Sequence, residues 1–474
     1  MTKPSPASIS PANRVPAAAE PIARGVIEFL GGRMGTHARV GRARWWTPLR
    51  VIIAVGWSFL ALGFLSKANC AGGRRGEDGA ILLNWDGNRN YTSFCYSDII
   101  PLYGGRGMDQ GGFPYAFSWQ EGDVTRYMEY PVLAGLFQGL MGWISRATYP
   151  VAELFAIPAA GWYFAVTAAV LSCIWVGVLA MVYRLTGNRA WDTILVAASP
   201  LVIIHAFTNW DIPSIALAVA GLLAASRGRY VWAGALLGLG TAFKLWPLFL
   251  LGAFFVVAWR NRRWVEFIKM ALSCAFTWLA VNLPVALAYP AAWREFYRLN
   301  ETRGAEWTTI YAILSRNLGV ELPPSVLNAV GIVLFLAVCA AIAAFGILVP
   351  RQPRVAELAY LIVAGFLLVN KVWSPQYSLW LVIPAVLALP RWRLLLSWML
   401  VDAAVWPILM WHMLGAGNNG VPHELLDLAV LGRDGLIIAI AVCIIRQMLG
   451  LSSDKVAAAH RGADPLLERK FQRC

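Results

Sequence analysis

The sequence predicts an all-α, polytopic membrane protein of about twelve transmembrane helices with a long first extracytoplasmic loop, and three observations lead there. Of its 474 residues, 58% are apolar and only 14% are charged, against about 25% charged in a soluble domain. Apolar runs recur from Val51 to Ile445 without a long polar linker, so one integral domain is expected rather than a string of soluble ones. The basic residues behind the formal charge of +14 gather between those runs, as they do in the cytoplasmic loops of membrane proteins. No basic face with interleaved aromatics remains once helix ends are set aside, which argues against nucleic acid as a partner and leaves membrane lipids.

Residues 1–46, rich in Pro, Ala, Ser and Arg and without periodicity, read as a disordered basic cytoplasmic tail. The first apolar stretch begins too late, and lacks the cleavage pattern, for a removable signal peptide. A first span is expected at 49–65, preceded by Arg39, Arg42, Arg44 and Arg50, which puts the N-terminus in the cytoplasm. Later basic clusters mark the returns to that side: Arg184 with Arg189, Arg227 with Arg229, Arg260 with Arg262 and Arg263, Arg351 with Arg354, Arg391 with Arg393, and Arg446 onward. Spans are expected between them at 160–183, 191–208, 211–226, 265–288, 326–349, 355–370, 377–389, 394–414 and 430–448.

The run 231–259 has basic flanks on both sides and as one helix would measure about 43 Å against a hydrocarbon core of about 30 Å. It is therefore expected to be a hairpin of two short helices turning near Lys244 and Pro247, because a mid-span lysine costs about 3 kcal/mol and proline breaks the helix. The membrane domain then covers 47–450, and 451–474 forms a second cytoplasmic tail. Its outer loops are 67–158, 289–325, a short turn at 374–376, and 415–429. Within the first loop the apolar stretch 130–144 is too short for a span and reads as a re-entrant or surface helix. Gly234 and Gly238 form a G-x-x-x-G, the signature of a close-packed helix face.

Seven cysteines show no CxxC and no alternation with histidine, and the five histidines are scattered, so no metal site or cofactor is expected. Cys70 and Cys95 fall in the first outer loop, an oxidising compartment, and are candidates for a disulfide. Cys173, Cys274, Cys339, Cys443 and Cys474 read as core thiols. Phosphate-cradling and serine-hydrolase motifs are missing, which leaves nucleotide-driven transport and serine hydrolysis by those motifs without support.

Polar residues at membrane depth are costly, so they mark either a site or helix-to-helix bonds. Asn209, Trp210 and Asp211 lie where one expected span exits and the next enters. Lys244 tops the hairpin, and Asn370, Lys371, Ser374, Gln376 and Tyr377 form another outer turn. Asp98 sits in the apolar, aromatic stretch 95–103, where it is either a general base or a turn residue. Glu129, just before Tyr130 and Pro131, is a second carboxylate; Asp78, Asp86 and Asp109 read as solvated loop residues. In the second outer loop basic and aromatic residues alternate, so Arg298, Arg303 and Arg316 either clamp a phosphate or belong to an interfacial helix.

The stretch from Asn209-Trp210-Asp211 to Arg227-Gly228-Arg229, the Gly234-to-Gly238 segment, Lys244-Leu245-Trp246-Pro247 and Lys371-Val372-Trp373-Ser374-Pro375-Gln376-Tyr377 together resemble glycosyltransferase family 87, of the GT-C superfamily. Glu129-Tyr130-Pro131 is similar to the family's tyrosine–proline element, with Val132 where a second proline often stands. The resemblance covers about residues 48–448. It implies a GT-C-like enzyme that moves a sugar, mannose or arabinofuranose, from a polyprenyl-phosphate donor to a lipid-linked glycan acceptor outside the membrane. It also implies a catalytic aspartate in the first outer loop, which favours Asp98 as base, with Asp86 or Glu129 as replacements. Lys371, Arg303, Lys244 and Arg316 are then candidates for the donor phosphate, and Asn209, Asp211, Gln376, Tyr377 and Tyr130 for sugar hydroxyls. Two rivals are a transporter or flippase for a polyprenyl-linked sugar and a non-catalytic scaffold for envelope assembly; no inverted repeat is visible for the first.

Overall fold

The computed structural model describes residues 45–76 and 81–468. The expected N-terminal tail up to residue 44, Asp78 and Cys474 lie outside the described residues. The chain enters the first helix, α1 (Pro48–Ala71), through Thr47, whose hydroxyl accepts the Arg50 amide, and Pro48 fills the first helical position, where its missing N–H costs nothing. At 24 residues, α1 outlasts the expected span by more than a turn and carries Lys67 and Cys70 inside the helix.

Two short antiparallel hairpins, Gly73–Arg75 with Ile81–Leu83 and Ser118–Glu121 with Val124–Tyr127, punctuate the loop that follows. That loop closes on α2 (Val132–Glu153), which starts directly after Pro131 and is longer than the stretch expected there. Its inner face buries Ala134, Gly135, Gln138 and Met141, while Leu140 and Trp143 point outward.

The longer helices that follow are α3 (Ala159–Leu185), α4 (Ile212–Ser226), α5 (Tyr230–Phe243), α6 (Leu250–Asn261), α7 (Trp264–Ala288), α8 (Pro290–Thr302), α9 (Ile310–Leu318), α10 (Pro324–Leu348), α11 (Val355–Val369), α12 (Leu379–Ala388), α13 (Trp392–Met413) and α14 (His423–Met448). Six of them, α1, α3, α7, α10, α13 and α14, are long and apolar enough to cross a membrane, and five shorter apolar helices pack among them. The chain is a multi-pass membrane protein. Its solvent shows on α10, which leaves Ile332, Val333 and Leu336 more than 60% exposed, as lipid tails permit and water does not.

The expected span at 191–208 is broken. A 3-10 stretch Gly187–Thr193 passes into a single helical turn, Ile194–Ala197, and a new helix starts at Pro200, because Ser199 before the proline is extended. The expected hairpin turn is where α5 stops at Phe243: Lys244 is extended, and a 3-10 turn Trp246–Phe249 leads into α6. α5 is wedged between α4 and α7. A methyl group at Gly234 would lie 2.0 Å from the Met270 carbonyl oxygen, and one at Gly238 2.4 Å from that of Cys274, so both glycines set how closely α5 and α7 approach.

The basic clusters converge at one end of the bundle. Arg260 donates to the Val349 carbonyl at 2.6 Å, and Arg354 to those of Leu387 and Ala388 at 3.0 and 2.6 Å. The segment expected as a C-terminal tail packs here instead: Asp454 pairs with Arg351 and Arg354, Asp464 accepts the Val355 amide at 2.7 Å, and Leu466 and Leu467 are buried. Arg354 is 3% exposed, and those acids and carbonyls supply the partners that a buried guanidinium needs.

Gly234→Val and Gly238→Val are expected to lower the melting temperature of the detergent-solubilised protein, since overpacking costs about 1–3 kcal/mol or more. Gly435→Ala, which places its methyl in open space, is the control expected to melt unchanged.

Candidate active site

At the end opposite those arginine clusters, five segments distant in sequence supply one polar centre. The first is pinned by covalent and hydrogen bonds. Cys70 at the end of α1 is bonded to Cys95, the Trp85 indole donates to the Cys70 carbonyl at 2.8 Å, and the Trp406 indole to that of Phe94 at 2.9 Å. Ser97 donates to the Phe207 carbonyl at 2.6 Å, the Asp98 amide to that of Thr208 at 2.8 Å, and Ile99 and Ile100 are buried as anchors. Asp98 therefore cannot swing freely. One carboxylate oxygen accepts the Tyr96 hydroxyl at 2.8 Å and the other the Asn209 amide at 2.7 Å.

Asn209, just before α4, is the hub. Its Nδ2 also donates to the Tyr130 hydroxyl at 2.9 Å, and its Oδ1 accepts the Trp210 amide at 2.7 Å and Lys244 Nζ at 3.3 Å. All four hydrogen-bonding capacities of a buried amide are thus used. Lys244 lies 3.7 Å from Asp211 and sits over the rings of Tyr130 and Tyr377 at 5.4 and 5.7 Å. Asp211 accepts the Trp380 indole at 2.9 Å through Oδ1, while its buried Oδ2 has no partner among the described residues. Trp380 stacks on Tyr377 at 4.1 Å and on Trp246 at 5.8 Å, and Trp246 donates to Ser214 at 2.7 Å. An aromatic wall thus closes the lysine's side of the centre.

The last wall joins the second loop to the turn before α12. The Glu306 amide donates to the Lys371 carbonyl at 2.9 Å, its carboxylate accepts Ser374 at 3.1 Å and pairs with Arg303, and Lys371 Nζ donates to the Arg303 carbonyl at 2.5 Å. Thr308 donates to the Trp373 carbonyl at 2.6 Å, with the Arg433 guanidinium stacked 3.5 Å from the Trp373 ring. Burial pushes the Glu306 carboxyl above its ordinary range, with Asp98 adding to the effect and Arg303 opposing it. The Asp98 charge, with burial, raises the Tyr96 hydroxyl far enough that it remains a protonated donor. Burial, then Arg303, lowers Lys371.

Asp98, Tyr130, Asn209, Asp211, Lys244 and Tyr377 come together, with Arg303 and Lys371 on the adjoining wall and Gln376 buried in its short helix, Pro375–Ser378. Three candidates are engaged by other partners. Glu129 is held by Arg106 at 2.5 and 2.6 Å, with that guanidinium over Trp119, so it orients the loop beside Tyr130. Arg316 pairs with Asp427 and faces a separate cleft. Asp86 is exposed and paired with Arg74.

Sequence reasoning missed Glu306, although it lies within the charged run of the second loop, and missed Lys67 and His205. Lys67, 1% exposed, lies over the Trp406 ring at 4.1 Å and close enough to Asp98 for their charges to interact. His205 abuts the same ring, and neither of its nitrogens has a partner among the described residues. Lys67 would have been found by carrying the first helix one turn further. Among the described residues no group of three or more His, Cys, Asp or Glu is disposed to hold a metal ion.

A bundle of apolar helices thus gathers carboxylates, an amide and lysine under aromatic walls at one end, a candidate site for a membrane enzyme. The model of Glycosyltransferase family 87 matches residues 129–375, just over half of the chain, and the protein belongs to that family. It is a membrane glycosyltransferase. Asp98 precedes the matched segment, so its place in the site rests on the contacts above. No curated protein matches the chain. Among solved structures it is similar to the crystal structure of ArnT from Cupriavidus metallidurans bound to undecaprenyl phosphate, at 14% identity, 85% coverage of this chain, 77% of that chain and a TM-score of 0.41.

Mass spectrometry of an unreduced digest should return the Cys70 and Cys95 peptides as one cross-linked species that separates on reduction. Recovery of both as free thiols would contradict the geometry that fixes Asp98.

Proposed function

We propose that this glycosyltransferase moves mannose or arabinofuranose from a polyprenyl-phosphate donor to a lipid-linked glycan of the cell envelope, on the extracytoplasmic face, with inversion and with Asp98 as general base. The observation that carries the reading is the Asp98–Asn209–Lys244 chain, which holds a base and a cation on one rigid amide. The acceptor hydroxyl oxygen attacks the anomeric carbon as the bond from that carbon to the phosphate oxygen breaks. Asp98 takes the hydroxyl proton, and the lipid phosphate leaves with the bonding pair. Tyr96 and Asn209 each occupy one lone pair of the carboxylate, which leaves a second lone pair on each oxygen for that proton.

Charge on the departing phosphate falls to lysine and arginine rather than a metal. Lys244, over the rings of Tyr130 and Tyr377, is the first of these, with Arg303 and Lys371 on the adjoining wall as further candidates. In a site with little water such a cation stabilises developing charge more than it would in solution. Asp211, whose buried Oδ2 is free to accept a hydrogen bond, and the Tyr130 and Tyr377 rings are placed for sugar hydroxyls and the sugar face. The positive-inside reading of the sequence puts the arginine end in the cytoplasm and this site outside.

The test uses purified protein with labelled polyprenyl-phosphate-mannose or -arabinose and a lipoglycan acceptor. Asp98→Asn should retain donor binding and lose transfer by about 10²-fold or more, and Lys244→Met should lose both. Unaffected transfer by Asp98→Asn would overturn the base assignment, and donor crossing the bilayer without transfer would make the protein a transporter.

A further inference from the structure

The segment that carries Glu306 has a second side. Ala305 and Trp307, its immediate neighbours, line a cleft of about 290 Å³ together with Tyr311, Ser315, Arg316 and Glu321. None of Asp98, Asn209, Lys244 or Tyr377 lines it, so it is a separate cavity that shares one stretch of chain with the active site.

Its chemistry is not that of an anion trap. Arg316, which the sequence offered as a phosphate ligand, is neutralised by Asp427, which also accepts Asn317 Nδ2 at 2.7 Å. The remaining Arg316 capacity includes a 3.1 Å bond to the Trp307 carbonyl. An exposed carboxylate, Glu321, repels a phosphate further. What remains is a fixed array of donors and acceptors beside an indole that is 49% exposed and braced on edge against His412 at 5.4 Å. Half-open aromatic faces flanked by hydrogen-bonding groups suit a neutral polyhydroxylated ring, whose C–H face packs on the indole while its hydroxyls bond at the sides. Its lining is apolar on one side: Val320 and Leu322 are exposed there, and Leu327 carries the cleft onto the lipid-facing α10. A molecule with a sugar head and a lipid tail fits both surfaces.

We infer that this cleft is a second carbohydrate subsite, which holds a sugar of the acceptor glycan away from the reacting hydroxyl and so selects acceptors long enough to span both sites. The inference rests on the acceptor class proposed above. The loop 303–309 is then a shared wall, with Glu306 and Arg303 turned to the reacting end and Trp307 to the distal sugar.

Two measurements test it. Saturation-transfer NMR with the free oligosaccharide of the acceptor should show contacts to the wild type and to Asp98→Asn, lost in Trp307→Ala and partly kept in Trp307→Phe. In transfer assays, wild type should favour a long acceptor over a truncated one by about tenfold in kcat/KM, the scale of one stacked ring, and Trp307→Ala should lose that preference while Trp307→Phe retains part of it. Undiminished glycan contacts in Trp307→Ala, or an unchanged preference, would overturn the subsite. Glycan contacts that depend on Trp307 in a wild type that transfers no sugar would leave the cleft standing and remove the proposed reaction instead.

Discussion

One buried amide organises the active end of this protein. Asn209 has four hydrogen-bonding capacities and spends them on Asp98, Tyr130, Lys244 and its own chain. An unpaired polar group in a dry interior costs about 1–3 kcal/mol, so each partner is held in place by the others. The consequence is structural before it is chemical: the first loop, the start of α2 and the break between α5 and α6 must all meet at the foot of α4. Where transporters use broken helices to move, here the break at Lys244 is wedged under an aromatic stack of Tyr377, Trp380 and Trp246.

The two ends of the bundle solve opposite electrostatic problems. At the basic end, arginines are consumed by backbone carbonyls and by acids of the returning C-terminal segment. At the other end Lys67 lies over an aromatic face in the field of Asp98, and Lys244 donates to Asn209 and is 3.7 Å from the Asp211 carboxylate. Buried cations without tight partners are costly, and an incoming phosphate would supply what they lack.

Much of this was legible in the sequence. The lysine and proline inside a basic-flanked run forced a hairpin, and Asn209, Asp211 and Tyr377 stood out because polar groups at span ends are expensive. Periodicity could not show which loop residue would face which span. Glu129 and Asp98 are both carboxylates in aromatic surroundings, and only the fold shows that Arg106 takes one while Tyr96 and Asn209 present the other. Glu306 was hidden in a run of charges whose members differ by the direction they face. The span at 191–208 failed because its hydrophobicity says nothing of the extended Ser199 before Pro200. The C-terminal segment looked like a tail because its few apolar residues, Leu466 and Leu467, are too sparse to signal that they dock.

The most direct measurement is an experimental structure of the protein in a lipid nanodisc with a non-transferable polyprenyl-phosphate-sugar analogue bound. Phosphate oxygens are expected within hydrogen-bonding reach of Lys244, with the anomeric carbon turned toward Asp98. Phosphate bound at the arginine end, or a sugar whose anomeric carbon lies out of reach of Asp98, would contradict it.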